Sequence, residues 1–575
     1  MSISAKNILL VSGVFSCVYS LCLHTAYSQT ASSQISIMEK QINYLQKQLQ
    51  YMKIQQIKQD NEVRLVKESA LKREQISKDP AYNRPIIIGN SNTGDSVTNR
   101  PWITIGGTDP RSEPTTYGQI TGMPVAPSGN TTKGLFHKGQ FNVGRISITL
   151  GGYVEMAGIF RSRNETSDIS SNFSSIPWMN SPNAHMNEFH ETERQSRFSA
   201  LVGADITDKW HVSGYTEVDF QGAGSASNSR QSNSYVLRSR VMYGEFENKI
   251  DDFYVMGGQS WSLATLFKKG MDTRSEQVPL VIDAQYVPGF TWTRNTGIRI
   301  VKGFHNHEYH IGLALENPQS VWGGAVYTPS GEKVTYNNSG GQVENVSTTY
   351  SDDVAPDIIL KGSADPKFGH FEAFGIGRFI HDRVSYIGSG KSHTKFAGGG
   401  GGGMVIPVVK KYFDFQASGL AGYGIGRYGT TNLPDATTNI HGSPALLPEA
   451  QVLIGFIGHP YKSVDIYAYG GMENILSRSS YNVNGTPYGY GNIGYNVSGC
   501  QIENAPSSMA CNANIRRVVQ GTIGFWWRYF EGDYGTLSFG AQFSHTDVAG
   551  FSGYGGTPHT DDNMAFLSLR YLPFQ

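Results

Sequence analysis

Cysteine is nearly absent from this chain: four in 575 residues, at positions 17, 22, 500 and 511. No CxxC pair occurs, which excludes thiolate metal sites built on that spacing. Net charge is missing as well, because 47 Lys and Arg meet 47 Asp and Glu. Nothing global therefore argues for a nucleic-acid partner or a polybasic membrane contact. A membrane-spanning helix needs about 20 apolar residues. The apolar stretch from Ile8 to Leu23 is shorter and is broken by Ser12, Gly13, Ser16 and Ser20. With Lys6 ahead and the small residues Ala26 and Ser28 behind, residues 1–28 read as a signal peptide cleaved before Gln29. Cleavage leaves Cys500 and Cys511 in an exported chain, which suggests one local disulfide. Catalytic signatures are lacking too. There is no Gly-x-Ser-x-Gly elbow, and no acid, base and nucleophile can be placed together, so the chain reads as a non-enzyme without a cofactor.

Glycine, in contrast, is abundant at 67 residues, well above the usual share of roughly 7%, and favours β structure rich in turns. One helical segment stands apart. From Ile35 to Ala70, Ile35, Ile42, Leu49, Val63 and Ala70 fall on one position of a seven-residue repeat, and Met38, Leu45, Met52 and Val66 on another. Gln56 and Gln59 interrupt the seam. A lone helix would expose that seam, so residues 29–79 are predicted to self-associate as an α-helical coiled coil. Pro80 and Pro85 close the segment, and the Pro, Gly, Ser, Thr and Asn of residues 80–139 read as a linker or an ordered irregular segment.

Beyond Gly139, strand-like runs of roughly ten residues alternate between short polar turns and long polar loops. Short turns fall at 206–209, 247–251, 303–306, 365–368, 409–411, 459–462 and 531–533. Long connections fall at 164–192, 222–233, 261–288, 317–355, 382–394, 428–445, 477–514 and 548–561. Fifteen connections join sixteen strands. Short turns at one end, long loops at the other and an even strand number predict an all-β transmembrane barrel of 16 antiparallel strands over residues 140–575.

Alternation assigns the faces. In WHVSGYTEVDF (210–220), Trp210, Val212, Val218 and Phe220 are expected to meet lipid, and His211, Tyr215, Glu217 and Asp219 water. In SYVLRSRVMYGEF (234–246), Arg238 and Arg240 turn to the lumen and Tyr235, Leu237, Val241 and Tyr243 to lipid. The same phase turns Arg197, Arg299, Glu372 and Arg378 inward. Fixed charges of both signs set up a transverse field that sorts solutes by charge and dipole. The bland alternative is that they merely pair with one another along a wet wall.

The third long loop, 261–289, carries its own apolar stretch together with Lys268, Lys269, Asp272, Arg274 and Glu276. Such a loop is expected to fold inward as the constriction. The run Gly398, Gly399, Gly400, Gly401, Gly402, Gly403 leads straight into Met404, Val405 and Ile406 and lacks the Lys and Ser or Thr of a phosphate loop. It reads as a strand in which alternate glycines leave the lumen wall bare for a solute or an inserted segment opposite the arginines. IGSGKS (387–392) has Ser385 where a phosphate loop needs its first glycine. In HNHEYH (305–310), alternation parts His305 and His307 from His310, so the cluster reads as an ordinary turn and no metal site is expected.

Several stretches together resemble the DcaP-like trimeric porins of Gram-negative outer membranes. They are LGGYVEMAGIF (150–160), SRFSALVGAD (196–205), RSRVMYGEF (238–246) with GGQSWS (257–262), TRNTGIRI (293–300), PDIILKG (356–362) and GYGIGRY (422–428). The resemblance covers most of the barrel. It implies a homotrimer, a periplasmic coiled coil, and passive diffusion of small, preferentially anionic solutes such as dicarboxylates. By position, Arg238, Arg240 and Arg299 match the basic lining, and the segment after Trp261 matches the inward loop. A mild anion preference would rest on Arg197, Arg238, Arg240 and Arg299 against Glu217 and Asp219. The linker is long for this family, enough for part of it to cap or enter the pore. Outer-membrane lipid and lipopolysaccharide are the expected surroundings. The alternative is a structural or adhesive role, with the coiled coil tethering the barrel to peptidoglycan.

Overall fold

The computed structural model describes residues 115–124, 136–137, 139–143, 145–223, 235–329, 331–340 and 348–575. The signal-peptide and coiled-coil readings lie outside the described residues. Sixteen strands form the barrel: β1 Ile146–Arg161, β2 Arg197–Asp205, β3 Trp210–Gly222, β4 Val236–Asn248, β5 Phe253–Trp261, β6 Arg294–Phe304, β7 Tyr309–Glu316, β8 Asp357–Ala364, β9 His370–Tyr386, β10 Ser389–Val409, β11 Phe413–Tyr423, β12 Pro448–Tyr461, β13 Val464–Ile475, β14 Ile515–Gly532, β15 Gly535–Gly550 and β16 His559–Leu572. Each pairs antiparallel with its neighbour in sequence, from β1 with β2 through to β15 with β16. β16 returns to β1 over Met564↔Arg161 to Tyr571↔Val154. Closure leaves no barrel edge with unpaired backbone groups, the condition for a sheet to cross lipid.

Its solvent preference is inverted relative to a soluble protein. On β7, Tyr309, Ile311, Leu313 and Leu315 are exposed while His310, Ala314 and Glu316 between them are buried. Around the wall, Val154, Met156, Leu237, Met242, Ile298, Leu360, Ile523, Phe543, Leu567 and Leu569 are exposed in the same way. Arg161, Arg197, Arg240, Arg299, Arg378 and Lys361 rank among the largest fully buried side chains. An outer apolar coat around a charged interior suits hydrocarbon as the surrounding solvent.

Two readings of the sequence are corrected. Residues 382–394 are not a long loop, since β9 and β10 pair without interruption from His370↔Val405 to Tyr386↔Ser389 and leave only Ile387 and Gly388 as the turn. From Arg378↔Ala397 onward this ladder has lost its flanking barrel strands, and β9 gains only the short strand Lys333–Thr335 beside it. The polar sequence misled because most side chains of β10 in this part meet water. The second correction concerns Val241 and Tyr243, which are buried in the interior rather than set against lipid. The register jumps from Glu217↔Val241 to Val218↔Ser239, skipping Arg240. A bulge at Arg240 adds one residue and reverses the phase beyond it, leaving Met242 and Phe246 outside.

Candidate functional site

The barrel interior is built around the loop between β5 and β6, residues 262–293. Its residues Leu263, Leu266, Phe267, Met271, Leu280, Ile282, Val287 and Phe290 are all buried. From the end of β5 the loop crosses to the opposite wall. There Leu280 N donates to Tyr469 Oη at 3.2 Å, Trp526 Nε1 donates to Leu280 O at 2.7 Å, and Gly289 N donates to Glu473 Oε1 at 2.8 Å. Among its charged residues Lys269 is exposed, Lys268, Asp272 and Arg274 are half-buried, and Glu276 is buried. Phe267 N, held by Glu372 Oε2 at 3.2 Å, pins the near side of the loop to β9.

A second segment shares this space. Helix α1, Thr116–Thr121, is capped by Thr115 Oγ1, which accepts from Gly118 N at 3.0 Å, and ends at Gly122 with φ +60°. Tyr117 Oη lies 3.1 Å from Tyr286 Oη of the loop and accepts from Arg197 Nη1 at 3.1 Å. Arg570 Nη1 donates to Ile120 O at 3.2 Å, and Gly152 N to Gly122 O at 2.8 Å. A Cβ at Gly151 would stand 2.3 Å from Gly122 O and 2.5 Å from Pro124 Cδ, so glycine at 151 is what admits the segment against β1. Residues 115–124 thus enter the barrel, and the paired glycines of LGGYVEM were the available sequence signal.

The inward charges mostly neutralise one another. Arg240 donates to Glu217 Oε1 at 2.7 Å and to Asp219 Oδ2 at 2.9 Å. Arg238 grips Asp219 with two bonds of 2.9 and 2.7 Å. Arg197 lies 3.6 Å from Glu217, Arg378 bonds Asp357 at 3.1 Å and Asp435 at 2.7 Å, and Lys361 bonds Glu372 at 2.5 Å. Losing one partner of a buried pair costs about 3–5 kcal/mol, so these networks form a rigid wall. Among the described residues Arg161 and Arg197 each keep one buried nitrogen without a hydrogen-bond partner but have a carboxylate at 3.6 Å, whereas three further guanidinium groups combine such nitrogens with no ion pair. Arg299 donates to Ser260 Oγ at 3.3 Å and to Trp261 O, but its Nε and Nη1 have no hydrogen-bond partner among the described residues. The same holds for Nη1 of Arg294 and for Nε and Nη1 of Arg274. Arg294 lies 4.9 Å from the Trp261 ring centre and 5.4 Å from that of Trp292, and Arg274 lies 5.5 Å from that of Tyr215. Sequence reasoning missed Arg294 because it shares the phase of the exposed Ile298; its nearness to Trp261 and Trp292 was the available clue.

The glycine run divides between the two faces. Ala397 and Val405 are buried and Phe396 is exposed, so the alternation puts Gly399, Gly401 and Gly403 inside and Gly398, Gly400 and Gly402 outside. Alternate glycines of the run thus share the inner face with Ala397 and Val405. A Cβ on Gly401 would lie 2.5 Å from the Phe374 ring, and one on Gly403 2.6 Å from Leu266 Cδ1 of the loop. In the loop 476–514, Cys500 and Cys511 form a disulfide.

At the end of the barrel with short connections, the turn HNHEYH also departs from expectation. His305, Asn306 and His307 all have left-handed backbones, at φ +52°, +56° and +64°. Simple alternation does not survive three such residues, and His307 and His310 come together beside Asp252 of the neighbouring turn.

No family model and no curated protein matches this chain. Among solved structures it is similar to the outer membrane channel DcaP of Acinetobacter baumannii, with 14% identity, a TM-score of 0.52, and coverage of 75% of this chain and 98% of that one. The chain has the fold of an outer-membrane channel. Weaker likenesses are to an anion-selective porin from Comamonas acidovorans (7% identity, TM-score 0.39, 74% and 99% covered) and to OmpF of Salmonella typhi in complex with daunomycin (8% identity, TM-score 0.39, 75% and 99% covered). The porin fold agrees with the resemblance read from the sequence.

Proposed function

We propose that this protein is an outer-membrane porin, a diffusion channel for small hydrophilic solutes with a mild preference for anions such as dicarboxylates. The observation that carries this reading is the inverted barrel, apolar outside and charged inside, with a loop folded across its interior. The preference is assigned to Arg294, Arg299 and Arg274 more than to Arg238 and Arg240, because the latter two are already matched by Glu217 and Asp219. Guanidinium donors that lack a partner in a buried site recognise carboxylates in fork geometry. The working assembly is taken as a trimer, with the N-terminal coiled coil in the periplasm.

The test is electrical. Purified full-length protein in planar bilayers is expected to give stepwise conductance, with an anion-selective reversal potential in a salt gradient. Replacing Arg294 and Arg299 by Gln should move that potential toward cations, and Arg238→Gln should move it less. Absence of stepwise conductance would refute the channel, and an unmoved potential would refute the arginine assignment.

A further inference from the structure

Two neighbouring turns bring three metal-type donors to one point. A carboxylate oxygen of Asp252, between β4 and β5, a ring nitrogen of His307, between β6 and β7, and a ring nitrogen of His310, at the start of β7, lie within 4.8 Å of one another. His307 contacts Asp252 directly, and His310 Nε2 is 3.8 Å from the same Oδ2. Bonds of about 2.0–2.2 Å to a tetrahedral ion set donors roughly 3.3–3.6 Å apart, so small side-chain rotations would admit one.

The local backbone is arranged around this cluster. Asp252 is itself left-handed, at φ +50°, as is His307 at +64°. For non-glycine residues that conformation costs on the order of 1–2 kcal/mol each. Gly303 N donates to Asp252 O at 2.7 Å, and a Cβ at Gly303 would fall 1.6 Å from Asp252 Oδ2. Glycine at 303 is thus what lets the carboxylate lie over the strand toward the histidines. An ordinary Asp–His hydrogen bond would account for the His307 contact. It would not by itself bring a second imidazole nitrogen to 3.8 Å from the same oxygen.

Behind the donors stands a supporting layer. Nδ1 of His310 faces Ser363 Oγ at 3.5 Å and Asp365 Oδ2 at 3.7 Å. Asp365 is fixed by His370 Nδ1 at 2.9 Å and by Gly270 N of the interior loop at 3.0 Å. A carboxylate behind an imidazole is the arrangement that orients metal-ligating histidines.

We propose that Asp252, His307 and His310 form a binding site for a divalent transition metal of the zinc class at the short-turn end of the barrel. Two imidazoles and one carboxylate favour such an ion over magnesium or calcium, which take oxygen donors. Through His310, Asp365 and Gly270, a bound ion would stiffen the anchorage of the interior loop.

Zinc titration of untagged full-length protein in detergent, followed by calorimetry, tests the site. One equivalent per chain is expected. Asp252→Asn, His307→Ala and His310→Ala should each weaken binding at least tenfold. His305→Ala, on the same turn but outside the cluster, should leave it unchanged, and magnesium should give no heat. Heat-modifiable gel migration of each variant checks that the barrel has formed. Zinc binding that survives in folded His307→Ala and His310→Ala, or no saturable zinc heat with the native protein, would overturn the proposal.

Discussion

Glu165 shows what burial does to one side chain. It lies in the loop after β1, 3.6 Å from Arg161, with Oε2 accepting from Asn172 N at 2.9 Å. Burial still dominates these favourable contacts and pushes its carboxyl up from 4.5 to about 8. The folded loop therefore holds a proton that the unfolded chain releases near 4.5, so the stabilising contribution is complete below that value and is lost as pH rises through about 8. Amide exchange in residues 162–196, corrected for intrinsic rates, should accelerate between pH 5 and 9. Glu165→Gln should remove that dependence, and a native loop insensitive to pH would refute it. Inward side chains such as Arg197, Arg299 and Arg378 were legible in the sequence because strand alternation is strict where no bulge intervenes. Val241 and Tyr243 were misread because a one-residue bulge has no compositional mark. Arg294 was missed because it shares the phase of the exposed Ile298, and the Asp252 cluster because left-handed backbone, not period, aims it.

At the scale of elements, strand count and the inward loop follow from patterning, whereas α1 does not. A six-residue helix flanked by Pro, Gly and Thr has too little period to stand out, and its place is fixed by distant partners in β1, β2 and the loop. Since Tyr117 bridges Arg197 and Tyr286, the segment fills room that a solute would otherwise use. Deleting residues 115–124 should therefore raise single-channel conductance while barrel assembly persists. Unchanged conductance in a folded deletion variant would show that the permeation path runs elsewhere. The mistaken loop at 382–394 has a similar cause, because a β-ladder in water needs few apolar residues and looks like a loop in composition.

The whole molecule couples a membrane barrel to an N-terminal segment with a self-associating pattern. If the heptads of residues 29–79 hold copies together, light scattering in detergent should give a three-copy mass for the full chain and a smaller one without them. A three-copy mass retained after their removal would assign assembly to the barrel wall instead. Outside the lipid, the hairpin of β9 and β10 runs nine residue pairs beyond its neighbours, or about 30 Å at the usual strand rise, to a tip where Ile387 is 93% exposed. Loops change length at little cost, but a paired ladder does not, because one inserted residue turns every side chain beyond it to the opposite face. The adjoining loops can therefore change length by insertion and deletion, while this projection is confined to substitution and keeps its height.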